Sequence, residues 1–382
     1  MAMHSTTTFT IHVRGPHDEE EEEHTSALIS QLSGIPKDAE NLVIDEDTPS
    51  NVEWRLLGDH FTNVKNLELD AGFNEDLNDR NIPLHWPLKR LMYASSGGEV
   101  FQSPFVLEGK VEHLILKLTY ELRFEEPRTA ELERPNDKAI ERGEKQQVFT
   151  SRIEVTSVAE LGTDWMEKKY AGKTEFAHPD RPFPEQVKLR KLEILENDAL
   201  DTLTRMSFAL PHLLNQVKFL NIRSTHNLDF HLTSEELVPK LLPQLSALET
   251  LVLSVGEVFK RKTILTKLYE NLPPNLTTLR FRGPASLMQS EHWQEWIQAF
   301  ANPAFLPQLK TLSFVLDLFY KEDEYKWRKE TRAPEDALLK ARAACEELYE
   351  VVRDRGISLE PFYDEWSEQH SLFRQVDERW ML

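Results

Sequence analysis

The sequence has a single cysteine, Cys345, among its 382 residues. No disulfide can form within the chain, and one thiol fits a reducing compartment, the cytoplasm or the nucleus. Positive charge is also scarce: 45 Lys and Arg stand against 65 Asp and Glu, a formal net charge of -20. So acidic a surface is repelled by phosphate backbones and anionic lipid, which argues against nucleic acid and membrane as partners. No stretch approaches ~18 consecutive apolar residues, so no membrane span is expected. The segment Met1–Thr8 has no basic start and no apolar run, so it does not read as a signal peptide. No lipidation box closes the chain at Trp380–Leu382.

Catalytic signatures are missing as well. There is no G-x-G-x-x-G, no Walker-type G-x-x-x-x-G-K, no G-x-S-x-G and no H-E-x-x-H. No catalytic residue, metal or cofactor is therefore expected. The acidic run His17–His24 reads as a solvated loop, because clustered carboxylates without spaced ligands do not make a metal site. His226, Asp229 and His231 share a loop, and a metal there would need further ligands in a defined geometry. Cys345 falls on a helical apolar face and reads as a small buried hydrophobe.

What the chain does have is a repeat. Val217, Leu220 and Ile222 put apolar residues at positions 1, 4 and 6 of a short segment. The figure returns at Leu248, Leu251, Leu253; at Leu276, Leu279, Phe281; and at Leu309, Leu312, Phe314, with starts roughly 28 to 33 residues apart. Earlier copies at Val64, Leu67, Leu69; at Leu88, Leu91, Tyr93; and at Val111, Leu114, Leu116 start roughly 23 to 25 residues apart. Positions 4 and 6 lie on one side of a strand, and position 1 turns in from the preceding loop. One strand cannot bury that side alone, but stacked copies share a core and a parallel sheet. The expected fold is α/β: a leucine-rich repeat solenoid with a curved parallel sheet on the concave face and helices and loops on the convex face. Starts near Thr6, Ala39, Val64, Leu88, Val111, Thr150, Leu189, Val217, Leu248, Leu276 and Leu309 make about eleven units.

Between the strands, helices are expected at Ala27–Leu32, at Asn51–Phe61 with Val52, Leu56 and Leu57 facing inward, across Ala199–Leu214, from Ser234, and at Lys262–Leu272 and His292–Phe300. Trp293 and Trp296 read as core. The rhythm breaks over residues 119–186, a long charged insertion that contains a strand at Ile153 and Val155. The solenoid is expected to span 1–320. Residues 321–382 form its C-terminal cap, with a helix at Glu335–Asp354 stopped by Gly356 and a last strand at Ile357 and Leu359.

Residues at positions 3, 5 and 7 of each figure point away from the core. In the later repeats these include Phe219, Asn221 and Arg223, then Thr278, Arg280 and Arg282; in an early repeat they are Asn66, Glu68 and Asp70. Arginine presents a planar fork to carboxylates, and aromatic and Arg side chains are favoured interface anchors. Phe219, Asn221, Arg223, Arg280 and Arg282 are thus the candidate site for a protein partner with an acidic segment. The alternative is that these arginines pair with neighbouring carboxylates.

The L-x-x-L-x-L figure resembles the leucine-rich repeat. The Leu-Pro-Gln-Leu segments at 242–245 and 306–309, and the ending from Cys345 to Ile357, are similar to the repeat region of fungal F-box/leucine-rich-repeat proteins. That resemblance implies the substrate-recognition half of a ubiquitin ligase and a ligase adaptor as partner. The F-box itself is not recognisable: nothing before Thr25 supplies it, and Ala27–Leu32 is too short. The leading expectation is a non-enzymatic protein-interaction scaffold. A ligase receptor with a diverged or missing F-box and an enzyme with a pocket under 119–186 are the alternatives.

Overall fold

The computed structural model describes residues 7–15, 21–70, 78–94, 100–119, 123–124, 187–195, 199–200, 202–203, 206, 210–224, 234–259, 261–319 and 333–362. It is an α/β, leucine-rich-repeat-like solenoid. Thirteen strands are described: β1 (Thr8–His12), β2 (Asn41–Asp45), β3 (Asn66–Asp70), β4 (Arg90–Ala94), β5 (Val100–Phe101), β6 (His113–Lys117), β7 (Arg123–Phe124), β8 (Lys191–Leu195), β9 (Phe219–Ser224), β10 (Thr250–Val255), β11 (Thr278–Pro284), β12 (Thr311–Leu318) and β13 (Ser358–Leu359). Eleven form one sheet in the order β1-β2-β3-β4-β6-β8-β9-β10-β11-β12-β13, and β5 pairs with β7 in a separate parallel ribbon. Among the described residues no helix is long and apolar enough to cross a membrane.

The described residues fall into two compact units. The first runs to Glu193 and takes in Met206 and Leu210–Leu213; the second holds Ile194–Leu203 and everything from Leu214.

In the first unit the figure sets the register. Leu42, Leu67, Leu91 and Leu114 are partners across β2, β3, β4 and β6, and so are Ile44, Leu69, Tyr93 and Leu116. All eight are buried, as alternation requires. Position 2 supplies a second ladder. The Glu40 carbonyl accepts from the Lys65 and Asn66 N–H groups, that of Lys65 from Lys89 and Arg90, that of Lys89 from Glu112 and His113, and that of Glu112 from Arg190 and Lys191, all at 2.8–3.0 Å. The last link shows that the Leu189 repeat follows the Val111 repeat directly. The unit expected from Thr150 does not come between them. Its first position is a threonine, without the apolar anchor of the repeats on either side, and Ile153 and Val155 lie outside the described residues. The eleventh place in the sheet goes to β13.

Helix α1 (Glu21–Leu32) begins inside the acidic run that had read as a loop. Carboxylates in a first turn are favoured by the helix dipole, so the run extends the helix. Helix α2 (Asn51–His60) opens on a capping box: the Ser50 hydroxyl accepts from the Glu53 N–H, and the Glu53 carboxylate accepts from the Ser50 N–H at 2.8 Å. It buries Trp54 and Leu57, while Val52 and Leu56 stay half-buried. Trp54 and Trp86 meet edge to face at 6.3 Å, and their indole N–H groups donate to the carbonyls of Asn78 and Phe61.

In the second unit Leu220, Leu251, Leu279, Leu312 and Leu359 are in register from β9 to β13. Phe281 and Phe314 stack at 4.9 Å below Trp296, which lies on the helix Trp293–Ala301 and is fully buried. Its indole N–H donates to the Thr266 carbonyl at 2.6 Å. The helix Glu335–Asp354 buries Leu338, Cys345, Leu348 and Val352, and leaves Leu339 exposed. It ends in a Schellman motif: Gly356 (φ 72°) donates to the Arg353 carbonyl and Ile357 to that of Val352. Arg355 then donates to the carbonyls of Phe300, Phe305 and Leu306, tying the cap to the last convex-side helix and the loop behind it. Its guanidinium pKa is lowered by burial.

Candidate functional site

The ladder engages the backbone of the sheet, so recognition falls to the side chains at positions 3, 5 and 7. On the first unit these change sign along the strand order. Asp45, Glu68 and Asp70 stand on β2 and β3; Arg90, His113, Lys117 and Lys191 stand on β4, β6 and β8. Within the acidic strands, Asn41 and Asn66 are cross-strand partners, and the Asn66 amide donates to the Asn41 side-chain oxygen at 2.6 Å.

The basic strands enclose one carboxylate. Glu193 is 1% exposed, with His113 Nε2 at 2.7 Å and Lys191 Nζ at 3.0 Å from the same oxygen. A carboxylate only accepts, so neutral His113 donates to it from Nε2. Burial lowers the His113 pKa, with Lys191 and Arg90 acting in the same direction and Glu193 opposing. Burial raises the Glu68 carboxyl above its ordinary value, against the pull of Lys117 and Arg90. Position 5 becomes apolar and buried in mid-sheet, at Met92 and Ile115. The first unit therefore offers a polar face with a built-in charge gradient.

On the second unit the five residues singled out from the sequence part company. Phe219 is half-buried, and the Arg280 side chain keeps 30% of its exposure, with Glu360 at 3.8 Å. Asn221, Arg223 and Arg282 are buried. Arg282 is held by a bidentate pair, Nε to Asp317 Oδ1 at 2.8 Å and Nη2 to Oδ2 at 2.7 Å, and the Phe362 ring lies 5.0 Å from its guanidinium carbon. The three arginines are thus not one open patch. Alternation put all three on the same side of the sheet, and that much holds. What alternation does not carry is the cover: Asp317 comes from the extended end of β12, and Glu360 and Phe362 come from the segment after β13. The signal for Asp317 was weak but present, an acid two residues past the outward Val315.

Sequence reasoning also passed over Glu193 and His113, which lie 80 residues apart and meet only because β6 and β8 are neighbours. Asp79 is a third such case: fully buried, it accepts from the Tyr93 hydroxyl and the Gln102 N–H, both at 2.8 Å, and fastens the loop after β3 to the core.

Cys345 is buried, and desolvation raises its thiol well above the usual range. Among the described residues no group of three or more His, Cys, Asp or Glu is placed to hold a metal. His226, Asp229 and His231 lie outside the described residues, as does the 119–186 insertion apart from Thr119, Arg123 and Phe124. No protein-family model matches the chain, and no curated protein matches it.

Proposed function

We propose that this protein is a non-enzymatic recognition scaffold that binds a protein partner with an acidic segment on the outward face of its sheet. One observation supports the reading above others. Strand after strand, in register, side chains of varied chemistry occupy positions 3, 5 and 7 over a backbone already hydrogen-bonded in the ladder. Such a face recognises through side chains and does not add a strand. Within it, Arg90, Lys117 and Lys191 on the first unit, and Phe219 and Arg280 on the second, combine basic groups with an aromatic anchor in a chain of net charge -20. A single buried cysteine accords with a reducing compartment, cytoplasm or nucleus.

The test is affinity capture from the source cells with three baits: the native chain, Arg90→Ala/Lys117→Ala, and Phe219→Ala/Arg280→Ala. The scaffold reading expects a specific partner that is lost or reduced at least tenfold with one of the double variants, while each variant keeps the native melting temperature. Capture unchanged by both variants refutes the outward face as the docking surface. Recovery of a cullin-type ligase adaptor would instead support the receptor reading that the repeat's resemblance implies.

A further inference from the structure

The outward side of the second unit is covered. Asn221 and Arg223 on β9, Val252 and Ser254 on β10, and Ser313 and Val315 on β12 point away from the core, yet none is more than 4% exposed. Arg223 is the clearest case. It is 1% exposed, and its in-register neighbour on β10 is Ser254, a side chain too short to hide a guanidinium. A cover therefore lies over the sheet there. The residues that the repeat offers for recognition are also engaged: Phe219, Asn221, Arg223, Arg280 and Arg282 each make a further hydrogen-bond, charge or ring contact within the chain.

Part of that cover comes from the C-terminal side. After β13 the chain still follows the sheet, with the Glu360 N–H donating to the Leu312 carbonyl at 3.0 Å. Continuing the register of Ser358 with Thr311 and Leu359 with Leu312 puts Glu360 beside Ser313 and Phe362 beside Val315. Both side chains reach past β12: Glu360 to Arg280 at 3.8 Å, and the Phe362 ring to 5.0 Å from the Arg282 guanidinium carbon. Phe362 is 6% exposed and is the last described residue, so the chain leaves the described structure on the outward side. Residues 363–382 follow. β9 lies four places from β13 in the sheet, about 19 Å at the usual strand spacing, and twenty residues span about 30 Å even when coiled as a helix. This segment carries five Asp and Glu against two Arg, with Trp366, Phe373 and Trp380 spaced seven apart. An acidic segment with aromatic anchors is the same chemistry that the partner would bring to Phe219 and Arg280.

We propose that residues 363–382 fold back over the outward side of β9–β12 and hold the place of the partner's acidic segment, so that partner docking requires their release. The proposal deepens the recognition reading and rests on it for what is excluded; occupancy of the face is tested on the isolated chain. A partner that meets an occupied face binds more weakly in proportion to the fraction of chains in which the face is free.

The experiment is limited trypsin digestion of the full chain, with cleavage after Arg374 and Arg379 followed by mass spectrometry. The comparison is a synthetic peptide of residues 363–382. The expected result is cleavage at least tenfold slower in the chain than in the peptide, since a docked bond is cut only while the segment is released. Trp366→Ala/Phe373→Ala, which alters no residue of the repeats, and Phe219→Ala/Arg280→Ala on the face should each restore the peptide's rate to within about twofold. In affinity capture the Trp366→Ala/Phe373→Ala bait should bring down at least tenfold more partner than the native chain. Cleavage of the native chain at the peptide's rate overturns the proposal. So does slow cleavage that the face variant leaves unchanged, which would place the segment elsewhere. Protection released by both variants with no gain in capture overturns the competition and upholds the occupancy. A partner captured by neither bait counts against the recognition reading alone, because the digestion has already decided whether the face is occupied.

Discussion

Replacing Asp317 with alanine should cost the second unit far more than its place in a charged pair suggests. Arg282 and Asp317 are 0% and 2% exposed and meet through two hydrogen bonds, with Phe362 against the guanidinium. Removing the carboxylate leaves a guanidinium charge out of water, a loss of about 3–5 kcal/mol. For a cooperative unit of about 150–250 residues, each kcal/mol moves the melting temperature by about 2–4 °C, so Asp317→Ala should melt about 10 °C lower. Removing both charges is another matter. Arg282→Met/Asp317→Leu replaces a costly ion pair with apolar volume and should recover most of that loss. Lys218→Ala serves as the control: Lys218 and Glu249 approach to 2.6 Å but are 53% and 52% exposed, which limits the pair to about 0–1 kcal/mol. The assay is thermal and urea unfolding followed by circular dichroism. If Asp317→Ala lost no more than Lys218→Ala, the guanidinium would be reaching water in the variant, and Arg282 could not be a buried, paired cation.

Burial and backbone geometry elsewhere in the chain set three further outcomes. Cys345 should react with a disulfide reagent at pH 8 at least a hundredfold more slowly in the folded chain than in denaturant, because burial raises its thiol and blocks access; equal rates would contradict the helix's inward face. Gly356→Ala should cost about 1–2 kcal/mol in urea unfolding from the left-handed backbone alone, since φ is 72° and an added Cβ meets nothing within 4 Å; a neutral result would mean the cap rearranges. Glu68 is raised from 4.5 by burial, so its linked stability is fully present below 4.5 and is lost as pH rises through the folded value. Glu68→Gln should therefore melt higher than the native chain at pH 7, with the difference closing below pH 4.5, and a lower melting point at pH 7 would reverse the assigned sign.

Much of the sheet was legible in the sequence because its cause is local. An apolar residue at positions 1, 4 and 6 has only one way to bury a strand's inner side, so Leu67 and Leu69, or Leu279 and Phe281, announce both the strand and its facing. Turn chemistry is equally local: Gly356 after Val352 marks the end of a helix from sequence alone. Where the local pattern was weak, the reading slipped. The charged start of α1 passed for a loop, and charge and spacing did not show that the Leu189 repeat follows the Val111 repeat directly, through the Glu112 carbonyl's bonds to Arg190 and Lys191.

The outward face divides the two kinds of knowledge most clearly. The sequence by itself determined the parallel repeat architecture, the inward apolar rows, and that Arg223, Arg280 and Arg282 share a side, because all of these follow from a two-residue alternation. Only the tertiary structure decided that Arg280 keeps access to solvent while Arg282 lies against Asp317 and Phe362, that Glu193 sits between His113 and Lys191, and that Ser254 falls between two arginines. Those facts depend on which strand comes next in the sheet and which later segment crosses it. A charge's partner and its exposure are set by neighbours tens of residues away, and alternation within one strand carries no information about them.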